Sequence, residues 1–514
     1  MCGIFFYQLV NQIFNSETIK VLERNFNRIQ HRGPDNSQKI IYQDKFLGFH
    51  RLSINGLSEQ GNQPFSYKNN FVLCNGEIYN YKELAQKHDI QLNEDDSDCA
   101  IIWPLYQKIG LKIFQELDGV FAIIIVDDNK VIVGRDPIGV RPLFYGIEGG
   151  KYAFCSEAKG LFDIIETKPF PPKHFMVFEE GVIKNFEMYE DIIETNKTIK
   201  DAFYSAIEKR MMSDRPIGAL LSGGLDSSLV AGILSKKITG KLRTYSIGFP
   251  ESQDLKYARE VSDFIGSEHH EVLLNEEEVI KELPMIINCL ETWDTTTVRA
   301  SVGMYFLSKY IRELGKDIVI YSGEGADELM QGYLYFHYQP SKIEGMMESK
   351  RLVDNLYYYD VLRADRTTAN FGLELRVPFL DKELRSCLRN YDLSPQNKIE
   401  KYVLRDAFRD ENVIPESVLW RQKEAFSDGV SGKKSFYRVL QEHIETLYSD
   451  EEFRVKQNVI LHSIPKSKEA MFYRDLFYKI YGNRNEEWIP SYWMPRWCET
   501  DDPSARTLNV HEMN

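Results

Sequence analysis

The sequence predicts two units in tandem: a strand-rich α+β half, then an α/β half built as a doubly wound parallel sheet. Two observations predict this. Short β-like runs such as Phe71–Cys74, Phe121–Val126 and Val131–Gly134 recur until about Phe186. From Ile217 onward, strand-length runs (Ile217–Leu221, Thr244–Phe249, His270–Leu274, Asp317–Tyr321) alternate with helical patterns such as Leu255–Ile265. Between the halves, Glu187–Lys200 is polar and shows no apolar periodicity longer than a turn. The expected domains are therefore 1–190 and 191–514. A length of 514 residues suggests about three domains and also fits two large ones.

In chain order, the first candidate is Cys2, directly after Met1. Cysteine is small enough to permit removal of the methionine. The new α-amine, with an unperturbed pKa near 8, can then take the thiol proton, so nucleophile and base are one residue. His31–Asp35 is a polar turn. Arg51-Leu52-Ser53-Ile54 places a guanidinium at the mouth of a β-like run, and Phe71–Cys74 is a strand expected to end in Asn75-Gly76-Glu77. Ser97-Asp98 opens an apolar helix pattern through Ile101, Ile102, Leu105 and Tyr106, where Asp98 is equally well placed as an N-cap. Asp127–Lys130 joins two strands as a hairpin, and Ile199–Met212 reads as a helix.

The densest signal is Leu220–Ser228. A short apolar strand runs into Ser-Gly-Gly-Leu-Asp-Ser-Ser, and Leu229–Leu234 continues as helix. Glycines admit close backbone approach, and a helix N-terminus offers unpaired N–H groups to an anion. The loop is a phosphate cradle without the Gly-Lys-Ser/Thr of a Walker motif. Ser322–Glu328 sits at another strand end, where ligands of parallel sheets bind. Asp226 and Asp327 beside a polyphosphate suggest Mg²⁺ ligands, although Asp327-Glu328 also suits a plain helix start. Thr296, Thr297 and Arg299 suit a small dicarboxylate. Lys423, within Trp420–Ser427, can set a cation on a reacting phosphate.

Other features read as structure. His269-His270 has no further His or Cys at ligand spacing, and Glu276–Glu278 suits a solvated helix start. A net charge of −14 argues against an extended nucleic-acid surface. The seven cysteines, odd in number and without CxxC spacing, suit a reducing, cytoplasmic setting. Val120–Val126 is far too short to span a bilayer, and the N-terminus lacks a signal-peptide pattern.

The motifs resemble known families. The Ser222–Ser228 loop resembles the pyrophosphate loop of ATP pyrophosphatases, which split ATP into AMP and pyrophosphate. Residues 2 to 190 resemble the class II glutamine amidotransferase domain, an N-terminal-nucleophile fold with two antiparallel sheets between helices (α-β-β-α). Both halves, in this order, resemble the glutamine-hydrolysing asparagine synthetases, including the tail segments Tyr492–Trp497 and Asp502–Leu508. The resemblance implies that Cys2 attacks the glutamine side-chain amide, with Asn75 and the Gly76 N–H as oxyanion hole. Arg51 would hold the glutamine α-carboxylate and Asp98 its α-ammonium, with Leu52, Ser53, Ile54, Asn55 and Glu77 completing the pocket. Leu221 and Ile247 would contact adenine through their backbone. Ser222, Gly223, Gly224, Asp226 and Ser227 would bind pyrophosphate, and Ser322 and Gly323 would meet the nucleotide. Glu324 would assist at the intermediate, and Thr296, Thr297 and Arg299 would lie near aspartate.

The implied cofactor is Mg²⁺ with ATP. The implied partners are small molecules, with neither nucleic acid nor membrane, and a homodimer is allowed. Two places depart from the family pattern: Asn55-Gly56 stands where Val-Asp is expected, and Met330-Gln331-Gly332 where Phe-Gly-Gly is. Three alternatives stay open at this point: an amidotransferase for another acid, a β-lactam-forming synthetase, and a catalytically weak regulatory protein. Cys2 speaks against the second, and the intact Cys2, Asn75, Asp226 and Asp327 against the third.

Overall fold

The computed structural model describes residues 1–191, 193–396, 399–423, 436–483 and 488–498. The motif ends Glu424–Ser427 and Asp502–Leu508 lie outside the described residues. The chain divides into two compact units. The first takes Met1–Ile192, Met212–Pro216 and Thr368–Glu374; the second takes Ile193–Met211, Ile217–Thr367 and the chain from Leu375. The two short returns to the first unit are absent from a single cut at 190/191. Each is only a few residues long.

The first unit is built on two antiparallel sheets. One has the spatial order Lys168–Pro169, Phe144–Glu148, Lys151–Cys155, Gly3–Leu9, Lys45–Arg51, Asn36–Tyr42. The other runs Val182–Met188, His174–Glu179, Lys130–Arg135, Gly119–Asp127, Asn70–Ile78, Phe65–Tyr67. Side chains alternate faces along a strand, and the central strands are apolar on both. Ile4, Phe6, Leu73, Ile124 and Val133 meet between the sheets. Phe5 and Tyr7 turn outward onto Leu22 and Phe26 of the helix Ser16–Asn27. Cys74, Ile123 and Ile125 turn the other way, onto Ile102, Leu105 and Phe114 of the helical layer. The result is a helix–sheet–sheet–helix sandwich.

One expectation is corrected here. Asn75-Gly76-Glu77 does not end the strand. Asn70–Ile78 pairs without interruption with Gly119–Asp127, setting Asn75 opposite Ala122 and Gly76 opposite Phe121. Gly76 is glycine for a steric reason: a Cβ would lie 2.2 Å from the Val120 carbonyl oxygen.

The second unit carries a five-stranded sheet in the order Glu268–Leu273, Arg243–Gly248, Ile217–Leu220, Val319–Tyr321, Glu374–Arg376. The pairings recorded among its first four strands are parallel. The fourth strand starts later than the sequence suggests. The Asp317 carboxylate is drawn inward by Arg243 Nε at 2.8 Å and by the Tyr245 hydroxyl at 2.6 Å. The helix after the phosphate loop starts earlier, at Leu225, and runs to Ser235. Its first turn therefore includes Asp226. Asn275 caps Glu276–Leu290 by accepting from the N–H groups of Glu277 and Glu278, so the acidic run is a helix start. Among the described residues no helix is long and apolar enough to cross a membrane.

Candidate active sites

In the first unit, Cys2 lies at the head of the central strand Gly3–Leu9, against the inter-sheet core. Its Sγ is within 3.4 Å of the Leu52 N–H and 3.6 Å of the Leu52 carbonyl. The Cys2 N–H donates to Asn75 Oδ1 at 2.9 Å, which ties the two sheets together at the thiol. The other side of that amide, Asn75 Nδ2, is a buried donor with no hydrogen-bond partner. A buried donor left unpaired is costly unless something else uses it. Arg32, fully buried, donates to the Cys2 carbonyl at 2.8 Å and pairs with Glu157 at 2.7 Å. The sequence reading assigned it no role. It holds the Cys2 backbone.

Burial pushes the Cys2 thiol up to about 11, so the thiol is protonated at neutral pH. Met1 is also buried, and burial lowers its ammonium to about 6. Its N–H donates to the Leu373 carbonyl at 3.4 Å.

Of the expected glutamine-binding residues, Leu52 and Asn75 contact Cys2 directly, and Arg51, Asp98 and Asn55 have protein partners of their own. Arg51 ends the strand Lys45–Arg51, and its guanidinium is engaged by a loop. Nη1 donates to the Ser58 carbonyl at 2.7 Å and to Asn62 Oδ1 at 2.9 Å, and Nη2 donates to the Gly56 carbonyl. The fork is thus filled by protein oxygens rather than held open for a carboxylate. Gly61 packs flat on it, since a Cβ there would fall 2.1 Å from Arg51 Nη2.

Asp98 is not the N-cap. Ser97 caps that turn, while Asp98 Oδ2 accepts from the Ile78 N–H at 2.7 Å and Oδ1 from the Ser97 hydroxyl at 3.1 Å. Asn55, one of the departures from the family pattern, donates to Glu77 Oε2 at 2.5 Å. The Ser53 N–H donates to Asp35 at 2.8 Å. Leu52, Ser53 and Ile54 are buried.

In the second unit a cavity of about 460 Å³ opens at the carboxyl ends of the strands, a volume suited to a small-molecule site. Leu221, Ser222, Gly224, Asp226, Ser227, Ile247, Ser322, Gly323 and Glu324 line it. The Leu221 N–H is taken by the Tyr245 carbonyl at 2.8 Å, so a backbone contact to a base falls to its carbonyl. Gly223 is not on the lining. It has φ +73°, and a Cβ there would lie 2.5 Å from the Ala258 nitrogen. It therefore turns the loop against the helix Gln253–Ile265. Gly224 precedes Leu225–Ser235 with no side-chain cap, which suits an anion at that helix N-terminus. Gly323 brings the second loop against the first: its Cβ would fall 2.9 Å from the Ser227 nitrogen.

The acidic residues here are paired with cations. Asp327 Oδ2 meets Lys423 Nζ at 2.6 Å, and Asp327 Oδ1 meets Lys401 Nζ at 2.5 Å. Burial acts to raise the Asp327 pKa, but the two lysines prevail and hold it well below the carboxylate range. For Lys423, burial favours the neutral amine, while Asp327 and Asp226 outweigh it and keep the ammonium charged. Glu324 is held by Arg363 at 2.9 Å, yet burial keeps its pKa raised. Arg363 also pairs with Asp360 at 2.7 Å.

Two expected aspartate ligands are engaged internally. Thr297 donates through both its N–H and its hydroxyl to Asp294, the N-cap of Thr295–Leu314. Arg299, although on the lining, forms a two-pronged pair with buried Glu469 at 2.7 and 2.6 Å. Thr296 fits better. It lines the cavity, and its hydroxyl is buried without a partner. Lys401, Arg363 and Arg421 were missed. Arg421 donates to the Gly223 carbonyl at 3.0 Å and steadies the loop. No local motif marks Lys401 or Arg363, each of which reads as a surface charge in its own segment, whereas Arg421 stands in the Trp420–Ser427 stretch beside Lys423.

A thiol at position 2 with an unpaired amide donor beside it, and in the same chain a phosphate cradle at the head of a parallel sheet, define a glutamine amidotransferase coupled to an ATP-using synthetase. The comparisons agree. A family model described as glutamine amidotransferase domain matches residues 1–199, and one described as asparagine synthase matches 198–351 and 341–500. Proteins named asparagine synthetase [glutamine-hydrolyzing] from Mus musculus and Homo sapiens are each 44% identical over 569 aligned residues, covering 100% of this chain and 99% of theirs. The chain belongs to the family of glutamine-hydrolysing asparagine synthetases. Among solved structures, a glutamine phosphoribosylpyrophosphate amidotransferase from B. subtilis is similar over 55% of this chain and 92% of its own, at 14% identity and TM-score 0.32. That likeness is too slight to add to the argument.

Proposed function

We propose that this chain converts aspartate to asparagine with ammonia released from glutamine, consuming ATP and yielding glutamate, AMP and pyrophosphate. The observation that carries this reading is the presence, in one chain, of Cys2 beside the unpaired Asn75 Nδ2 and of a phosphate cradle beside Asp226 and Asp327.

In the first half-reaction Cys2 Sγ attacks the glutamine amide carbon. A thiol pushed up to about 11 needs a base, and removal of Met1 supplies one as the Cys2 α-amine. Asn75 Nδ2 and the Gly76 N–H receive the oxyanion. The same α-amine returns the proton to the departing ammonia, and water then cleaves the thioester. Asp98, with Glu77, takes the glutamine α-ammonium. Arg51 takes the α-carboxylate by exchanging its loop carbonyls for it, while Leu52, Ser53, Ile54 and Asn55 form the wall.

In the second half-reaction the aspartate side-chain carboxylate attacks the α-phosphorus of ATP. Ser222, Gly224 and Ser227 hold the departing pyrophosphate, Gly223 sets the turn that presents them, and Lys423 follows the charge. Leu221, Ile247, Ser322 and Gly323 hold the nucleoside. Thr296 and Arg363 meet aspartate, with Arg299 positioned by Glu469 behind them. Ammonia then displaces AMP from the β-aspartyl-AMP, and Glu324, with its raised pKa, accepts the proton it sheds.

The donor set suits Mg²⁺. It offers hard carboxylate oxygens, and Asp226 Oδ1 is a buried acceptor without a hydrogen-bond partner. Asp226 and Asp327 would hold the ion, which neutralises polyphosphate charge when bound. Seven free cysteines suit a cytoplasmic location.

The test is an assay with ATP, Mg²⁺, glutamine and a panel of carboxylic acids, with products identified. Aspartate alone should give an amide, together with AMP and pyrophosphate. Turnover of another acid, or no synthesis by folded protein, would overturn the reading.

A further inference from the structure

The two carboxylates assigned to the metal already share a cation. Lys401 Nζ lies 2.5 Å from Asp226 Oδ2 and 2.5 Å from Asp327 Oδ1. Its side chain is 2% exposed. We propose that Lys401 is an internal counter-ion that keeps Mg²⁺ off the Asp226–Asp327 pair until a nucleotide arrives. The metal is thereby admitted only together with phosphates. This inference rests on reading the cavity as a Mg²⁺–ATP site and adds the order in which that site fills.

The physical argument is competition for the same oxygens. Mg²⁺ binds carboxylate oxygens at about 2.0–2.1 Å, closer than the ammonium now sits. A divalent ion between the carboxylates would lie against the ammonium, and like charges at such range repel strongly in a buried site. With Lys401 and Lys423 in place, the charge of Asp226 and Asp327 is already balanced. A bare metal ion gains little there. The polyphosphate changes this by offering Lys401 new acceptors. A lysine ammonium on its flexible four-carbon stem can turn to them, freeing both carboxylates for the metal.

The fold is shaped around this lysine. Lys401 has φ +54°, the left-handed region uncommon for residues other than glycine. Such backbone persists where the surroundings fix it and concentrates at functional positions. Here Lys401 opens the short helix Tyr402–Ala407 and accepts from the Leu404 and Arg405 N–H groups at 3.0 and 3.1 Å. Gly332 makes the channel: a Cβ there would lie 2.1 Å from Lys401 Cε and 2.2 Å from Asp327 Oδ1. Within Met330-Gln331-Gly332, which departs from the family pattern, the final glycine is thus the position the lysine requires.

The experiment titrates Mn²⁺ into the full chain and reads protein-bound metal by water-proton relaxation. Two conditions are compared: metal alone, and metal with α,β-methylene-ATP. Wild-type protein should bind Mn²⁺ at least about tenfold more tightly with the analogue, within the usual range of coupling between two ligands. Lys401→Met should bind Mn²⁺ alone at least about tenfold more tightly than wild type, and adding Asp226→Asn should abolish that gain. Equal wild-type affinity with and without analogue overturns the proposal, even if Lys401→Met fails to fold. So does a folded Lys401→Met with no gain. Absence of binding under every condition removes the Mg²⁺–ATP reading itself, and the proposal with it.

Discussion

The two sites of this chain are built with opposite electrostatics. The Cys2 thiol and N–H meet uncharged groups, the Asn75 amide and the Leu52 backbone, and burial keeps the thiol protonated; the Arg32–Glu157 ion pair reaches this residue only through its carbonyl. Around Asp226 and Asp327, carboxylates and ammonium groups are packed within about 3 Å of one another. The chemistry accounts for the contrast. Acyl transfer at a thiol needs one proton acceptor and donors for one developing oxyanion. Phosphoryl and adenylyl transfer handle several negative charges, so the site must hold balanced cations before the substrate comes.

This contrast can be broken most easily at the thiol. Cys2→Ala should lower glutamine-dependent synthesis by at least about 10⁴-fold, as expected for loss of a nucleophile. Synthesis supported by ammonium salts should stay within about twofold. Loss of both activities in a folded variant would show that the sites are not separable. The reciprocal change is Asp226→Asn or Asp327→Asn. Ammonia-dependent synthesis should fall by about 10²–10³-fold, while glutamine hydrolysis persists. Normal synthesis by both variants at limiting Mg²⁺ would refute the metal assignment.

The two sites also differed in how much the sequence disclosed. Parts carried by one contiguous motif were legible: the strand–loop–helix of Leu220–Ser228, the thiol at position 2, and Ser322–Glu328. Lys401 was not legible, because its meaning comes from two carboxylates 175 and 74 positions away. Arg299 lines the cavity, but its pairing with Glu469 was not legible, because that partner lies 170 residues downstream. Thr297 was different, since a usable signal was present. Asp294 stands three residues before it, at N-cap spacing, and accepts hydrogen bonds from both its N–H and its hydroxyl. Arg51 was read as a guanidinium at the end of a β-like run, and it does end the strand Lys45–Arg51. Its occupation by the Gly56–Asn62 loop depends on a turn geometry that the sequence did not reveal.

A smaller effect sharpens the thiol side. The Met1 ammonium falls from 8.0 to about 6 because it is buried. A base with a depressed folded pKa loses its proton in the folded state first. Between pH 6 and 8 the unfolded chain therefore binds more protons, and stability rises with pH. Protein expressed with methionine aminopeptidase inhibited should retain Met1. Its stability relative to the processed form should drop by up to about 3 kcal/mol as pH falls from 8 to 6, measured by urea unfolding. A gap that does not change with pH would contradict the burial of a charged terminus.

The central claim is that the second site adenylates aspartate, with pyrophosphate held as the leaving group. The most direct measurement follows oxygen-18 from the aspartate side-chain carboxylate during ammonia-dependent synthesis. Attack at the α-phosphorus predicts one labelled oxygen in AMP, with pyrophosphate unlabelled and equal in amount to asparagine. Label in inorganic phosphate, with ADP as the nucleotide product, would contradict it.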